Sequence, residues 1–330
     1  MGELRGTECL NQYDLEVISL KRGRGAVICE TNQGLMLLKE CMVSENRIQF
    51  EEELLSCLKS YDGIYVDDYR RTSQGELLAL AADGSRYLLK RWYGGNECDM
   101  RSSSDILAGV RQLAALHRRM RTIPPSPLWE QKSVEAVPAL RSFEKHNREF
   151  RRIRSYVKRC RNKSDFELLL TSSFETFYRQ ALLAAEQMSA LAPDTEVYLC
   201  HGDYNNHHIL MEGNRRIAVT EFGKAHLDVQ IWDLYHFMRK ALEKHNWNVR
   251  LGRDMLETYH KILPVSQTER QYLYLLFLYP EKYWKQLNYY YNSNKAWIPE
   301  RNVEKMRILI KQQESRDQFI QFLQLNSSFF

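Results

Sequence analysis

Residues 198–223 constrain the fold of this chain more than any other stretch. They read Tyr198-Leu-Cys-His-Gly-Asp-Tyr-Asn-Asn-His-His-Ile-Leu-Met211, then a turn at Gly213-Asn214, then Ile217-Ala-Val-Thr-Glu-Phe-Gly223. An apolar strand runs into a polar loop, a second strand turns back through a third, and the third ends on an acid. This hairpin sets two carboxylates, Asp203 and Glu221, at the mouth of a rigid sheet.

The spacing of those acids is the one that ATP-dependent phosphotransferases use. Phosphoryl transfer needs little covalent help from protein, so it rests on positioning and on charge neutralisation by magnesium. Asp203 is the candidate for the base that accepts a hydroxyl proton. His201 stands beside it in the catalytic loop, to hold the loop rather than to carry the proton. In the kinase pattern an amide five residues after the base, and the acid that opens Asp-Phe-Gly, hold the metals. Here those positions are His208 and Glu221. Magnesium prefers oxygen ligands in octahedral geometry, so an imidazole is a poor replacement, and Glu221 carries its carboxylate one methylene further out. ATP and magnesium are therefore the implied cofactors, on a degenerate metal site. Asn205 and Asn206 offer oxygens nearby, which leaves a shifted magnesium shell open. His207, His208 and His226 lack zinc-ligand spacing and read as surface histidines.

With 330 residues and 44% hydrophobic content the chain can bury a large core, as one large or two modest domains. Charges stand within Met1–Glu8 where a secretion signal needs an apolar stretch, and no apolar run approaches the ~20 residues that span a bilayer. Seven cysteines, an odd number without a Cys-x-x-Cys pair, indicate neither a disulfide framework nor a zinc knuckle. Synthesis in a reducing cytoplasm, without membrane insertion, is the expectation.

The net charge of +5 is unevenly spread. Residues 141–163 hold ten Lys or Arg against Glu144 and Glu149, a net +8 that leaves about −3 for the remainder. One basic helix, not a basic surface, argues against a specific nucleic-acid binder. Phe143, Phe150, Ile153, Val157 and Cys160 mark its packing face, so its arginines face outward, either simply solvated or meeting an anionic partner.

Residues 12–94 read as a small, mostly β lobe. Strands are expected at Leu15–Leu20, Val27–Thr31 and Leu35–Lys39, a helix over 44–60 with Phe50, Leu54, Leu55 and Leu58 on one face, and strands at Glu76–Ala81 and Arg86–Lys90. Gly23 and Gly25, in the first connection, suit either a backbone approach to phosphate or a plain hairpin turn. From residue 95 the pattern is helical. Ser104–Met120 buries Ile106, Val110, Leu113 and His117, and Pro124, Pro125 and Pro127 stop it. Residues 122–196 read as a helical insertion, with a capping box at Ser164-Asp-Phe-Glu167. The Tyr- and Trp-rich stretch 272–297 reads mainly as core, with Tyr289, Tyr290 and Tyr291 as candidates for exposure.

His201-Gly-Asp-Tyr-Asn-Asn-His-His208, Val219-Thr-Glu-Phe-Gly-Lys-Ala-His226, Gln230-Ile-Trp-Asp-Leu-Tyr-His-Phe-Met-Arg-Lys240 and the segments Leu88–Asp99 and Leu113–His117 resemble the aminoglycoside phosphotransferase and choline kinase superfamily. Within it they resemble the spore-coat CotS family. The resemblance implies an α+β, two-lobed protein-kinase-like fold, with an amino lobe over 1–94 and a helical lobe over 95–330. It places Lys39 as the lysine on the α and β phosphates, Glu51 (or Glu52 or Glu53) as its partner, and Asp233 as a brace for the catalytic loop. It also implies a place in the spore coat among other coat proteins, with catalysis weakened or lost. The alternative is an active phosphotransferase on a hydroxyl of a sugar-like or coat-associated molecule.

Overall fold

Alternation along the first strands sorts their side chains onto two faces, and that sorting builds the amino-terminal sheet. The computed structural model describes residues 4–61, 63–124, 126, 129, 137–191, 196–213, 216–292 and 300–325. They divide into two compact units, one within residues 1–134 and 199–226, the other within 135–198 and 227–330.

In the first unit, β1 (Val17–Arg22), β2 (Val27–Thr31) and β3 (Gly34–Glu40) form an antiparallel meander. The helix α1 (Glu45–Lys59) follows, then the short strands β4 (Tyr65–Val66), β5 (Tyr69–Arg70) and β6 (Ala79–Leu80), and then β7 (Arg86–Arg91). The strand order is β1-β2-β3-β7-β5, with β6 also on β7. Val27, Cys29, Met36, Leu38, Tyr87 and Leu89 turn to one face, where Cys9, Leu10 and Tyr13 of the amino-terminal segment cover them. Leu37 and Lys39 of β3 and Leu88 and Lys90 of β7 alternate to the opposite face. The register pairs Leu37 with Lys90 and Lys39 with Leu88, so the two lysines are diagonal neighbours.

The expected helix and strands lie within a few residues of these elements. The two-residue strands β4 and β5 had no counterpart in the sequence pattern. Buried Phe50, Leu54, Leu55 and Leu58 form the inner face of α1, as the spacing requires.

The strand β8 (Asn96–Glu97) and the helix α2 (Ser103–Met120) follow, the latter with Ile106, Val110, Leu113 and His117 buried. The hairpin comes later in the chain, after α3 (Ala139–Arg159), α4 (Asp165–Leu191) and β9 (Tyr198–Cys200). Its strands β10 (Ile209–Glu212) and β11 (Arg216–Val219) pair antiparallel, and β10 also carries β8. Asn214 of the expected turn lies outside the described residues, as do Pro125 and Pro127. The strand β4 runs parallel to β11, with Val66 opposite Val219. Asp67 and Glu221 therefore leave neighbouring strand ends together.

The second unit is helical. Phe143, Phe150, Ile153 and Val157 are the buried seam of α3, while Cys160 is only half-buried at its end. The capping box at the start of α4 is formed: Glu167 Oε2 accepts from the Ser164 N–H at 2.8 Å, and Ser164 Oγ accepts from the Glu167 N–H at 3.4 Å. The chain continues through β12 (His226–Asp228), α5 (Ile231–Lys244), α6 (Val249–His260), α7 (Gln267–Leu278), α8 (Glu281–Asn292), α9 (Glu300–Lys311) and α10 (Gln313–Leu325). Tyr272 through Tyr279 are buried, Tyr289 is exposed, and Tyr290 stacks on Phe166 at 4.0 Å. The part of the aromatic stretch at 293–297 lies outside the described residues.

Candidate functional site

The hairpin loop is held by its own polar groups. Gly202 has φ +78°, and a Cβ there would lie 2.0 Å from the Lys224 carbonyl, so only glycine admits the loop this close to the Glu-Phe-Gly segment. His201 is fully buried; its Nε2 donates to the Thr220 carbonyl at 3.0 Å and its Nδ1 accepts from the Asp203 N–H at 3.2 Å. Both ring nitrogens are thus spent on loop geometry. Asn205 caps the following turn through its side-chain oxygen, which accepts from the His207 N–H at 3.0 Å, and its NH2 reaches Asp203 Oδ1 at 3.1 Å.

Asp203 is half-buried. Lys224 Nζ donates to its Oδ2 at 2.8 Å. Burial pushes the carboxyl up, but Lys224, the nearby His208 and Asn205 outweigh it and hold the group below its ordinary value. Asp203 is therefore ionised, with a lysine of its own chain as counter-ion.

Glu221 adopts a left-handed backbone, φ 67°, uncommon for a side-chain-bearing residue. Its N–H donates to Asp67 Oδ2 at 3.0 Å, and Arg47 of α1 donates to the carbonyls of Gly223 and Ala225 just beyond it. Both Glu221 oxygens accept from Lys39 Nζ, at 2.9 and 2.7 Å. Burial raises this carboxyl too, yet Lys39, Lys90 and His208 bring it below its ordinary value.

Lys39 and Glu51 are not paired, contrary to the expectation from the resemblance. Glu51 is taken by Lys90, at 2.5 Å, and Lys90 also reaches Asp67 Oδ2 at 3.0 Å. The reason is solvation. The Lys90 and Glu51 side chains are each 6% exposed and Asp67 is fully enclosed, whereas Lys39 is 38% exposed and can lean on water. Tyr69 completes the cluster, donating to Glu51 Oε2 at 2.9 Å beneath the Lys90 ammonium. Burial lifts Asp67 to about 6, against the pull of Lys90.

Lys90, Asp67 and Lys224 are the residues that sequence reasoning missed. Lys90 closes the run Tyr87-Leu88-Leu89 as a solvated strand end would, and Asp67-Asp68 looks like a turn. The usable signal was a lysine at even spacing from Leu88, on the face that carries Lys39.

Gly23 and Gly25 form the β1–β2 turn, closed by the Gly23 N–H on the Ala26 carbonyl at 2.9 Å. Arg24 at its tip lies 2.8 Å from His207 Nδ1 and 3.4 Å from Glu97 of β8. Asp233 is buried in the first turn of α5, in the second unit.

Octahedral magnesium does not fit this donor set. Both oxygens of Glu221 bind an ammonium group and the Asn205 oxygen is a helix cap. His208 Nδ1 donates to the Asp203 carbonyl at 2.9 Å, leaving only its second imidazole nitrogen. Among the described residues no group of three or more His, Cys, Asp or Glu side chains is placed to hold a metal ion. Of the two asparagines, Asn205 spends its oxygen on the turn, and Asn206 places its amide nitrogen 3.3 Å from His207 Nδ1.

Sheet order, helix and hairpin together define a protein-kinase-like fold of the aminoglycoside phosphotransferase type. The chain belongs to a spore-coat kinase family: the family model described as "Spore coat putative kinase YutH" matches residues 7–323. The sequence matches no curated protein. Among solved structures it is similar to an aminoglycoside phosphotransferase from Alicyclobacillus acidocaldarius, with TM-score 0.88 and 16% identity over 100% of this chain and 98% of that one. A spectinomycin phosphotransferase in complex with ADP and spectinomycin aligns with TM-score 0.61 and 12% identity, over 94% of this chain and 95% of that one. An amicoumacin kinase in complex with AMP-PNP, Ca2+ and Ami aligns with TM-score 0.56 and 11% identity, over 94% of this chain and 92% of that one.

Proposed function

We propose that this protein is a nucleotide-binding, kinase-like component of the spore coat in which phosphoryl transfer is weakened. The observation that carries this is the closure of both acids by lysines: Lys39 occupies both oxygens of Glu221, and Lys224 sits on Asp203. A base already paired to an ammonium accepts a proton poorly, and a carboxylate already chelating a cation holds a metal poorly. Family membership supports association with other coat proteins, and the outward arginines of α3 supply a face for an acidic one.

A second function, transfer to a hydroxyl, draws support from Asp203 itself, which is ionised, part-exposed and held by the Asn205 amide and by a lysine whose side chain is 71% exposed and able to swing away. Thermal unfolding with ATP, alongside transfer of labelled phosphate from ATP, separates the two. The expected result is a raised melting temperature on ATP, with transfer near background and unaltered in Asp203→Asn. Transfer that Asp203→Asn abolishes would establish the active enzyme, and no thermal response under any metal condition would remove nucleotide binding.

A further inference from the structure

The two lysines that close the acids are themselves part-exposed cations with donors to spare. Resting on the nucleotide-binding function above, we propose that the site takes a nucleoside triphosphate without a divalent metal, Lys39 and Lys224 supplying the charge that magnesium supplies in kinases.

An ammonium group has three N–H donors in tetrahedral array. Lys39 gives two to the Glu221 oxygens, so one remains for a phosphate oxygen. Carboxylate, cation and phosphate can then line up as they do through a bound metal. Lys224 gives one to Asp203 Oδ2 and keeps two. Side-chain exposures of 38% for Lys39 and 71% for Lys224 leave both able to meet a ligand.

The Lys90 cluster makes this division of labour stable. A phosphate-binding lysine that must also hold α1 through Glu51 is committed elsewhere. Here Lys90, the enclosed one of the two lysines on that face, holds Glu51, and Lys39 is released to Glu221. Asp67 then joins the two halves, with its Oδ2 accepting from Lys90 and from the Glu221 N–H.

A divalent ion would have to displace Lys39 from Glu221 and leave that ammonium beside a doubly charged ion, with His208 offering one nitrogen. A metal-free triphosphate carries more negative charge than two lysines balance. Exposed Lys21, which the register through Ile28 and Leu37 places on the same face as Lys39, adds positive charge at the β1–β2 turn.

Isothermal titration of the intact protein with ATP, in EDTA and in magnesium, tests this. Affinity in EDTA is expected to equal or exceed that in magnesium. Lys39→Met is expected to weaken binding in EDTA about tenfold or more, with partial recovery in magnesium because Glu221 is freed. Lys224→Met, at an exposed position that leaves folding untouched, is expected to weaken binding in EDTA as well. ATP bound only with magnesium would overturn the metal-free site and leave nucleotide binding standing. No binding in either condition would remove both, and wild-type affinity in EDTA for both lysine variants would overturn the role given to the ammonium groups.

Discussion

A lysine enclosed as fully as Lys90 stays charged only among carboxylates, and Glu51 and Asp67 provide them at hydrogen-bonding distance. Deleting the cation leaves two buried acids facing each other. Lys90→Met is therefore expected to lower unfolding free energy by about 3–5 kcal/mol at pH 7. Lys39→Met breaks a pair that is part-exposed on both sides, with an expected cost below about 1 kcal/mol. Urea unfolding of the two variants measures the contrast. A larger loss for Lys39 would mean that Glu51 belongs to Lys39 in solution. The same contrast explains what was legible in the chain. His201, Asp203 and Glu221 carried their own motif, whereas the choice of Glu51 between two lysines is settled by desolvation, which no residue spacing encodes.

Among the long elements, α1 followed from its apolar spacing and the start of α4 from Ser164 and Glu167. The strands β4 and β5, two residues each, have no period to read, and they exist because β11 and β7 offer them partners. Asp67 was invisible for that reason. On α3 the pattern gave both faces. Arg141, Lys145, Arg148, Arg152 and Arg159 recur at intervals of three, four and seven residues, opposite the seam of Phe143, Phe150 and Val157, and all five are exposed. Like charges at such spacing repel by a few tenths of a kcal/mol per pair. Replacing Arg148 by Glu turns its repulsion from Lys145, Arg151 and Arg152, each three or four residues away, into attraction, and turns only its attraction to Glu144 into repulsion. Arg148→Glu is expected to stabilise the protein by about 0.5 kcal/mol, read as a rise in the urea midpoint. Unchanged or lowered stability would show that the arginines are already balanced within the folded chain, and that the ridge has no charge to offer an acidic coat partner.

Across the molecule, buried ionisable groups set the response to acid, and they do not all act in one direction. Burial lowers His146, stacked on Trp284, and His236, packed against Trp232, from 6.5 to about 4. Histidines kept neutral when folded contribute stability that is complete above pH 6.5 and lost as pH falls toward 4. Glu281 adds to this at lower pH. Burial alone would raise it, but Arg239, Lys285 and His236 hold it at about 2, so its contribution is lost below its ordinary value of 4.5. Asp67 opposes them: raised by burial from 3.8 to about 6, it carries a penalty above pH 6 that is relieved as pH falls. Two histidines outweigh one aspartate, and all three of the acid-labile groups lie in the helical unit. Urea midpoints are therefore expected to fall between pH 6.5 and 4.5, with His236 alone responsible for on the order of 2 kcal/mol. His236→Gln keeps a polar side chain that cannot titrate, and should flatten the profile over that interval. A wild-type slope in His236→Gln would shift the acid response away from the core of the helical unit. A slope of opposite sign, removed by Asp67→Asn, would assign it to the Lys90 cluster instead.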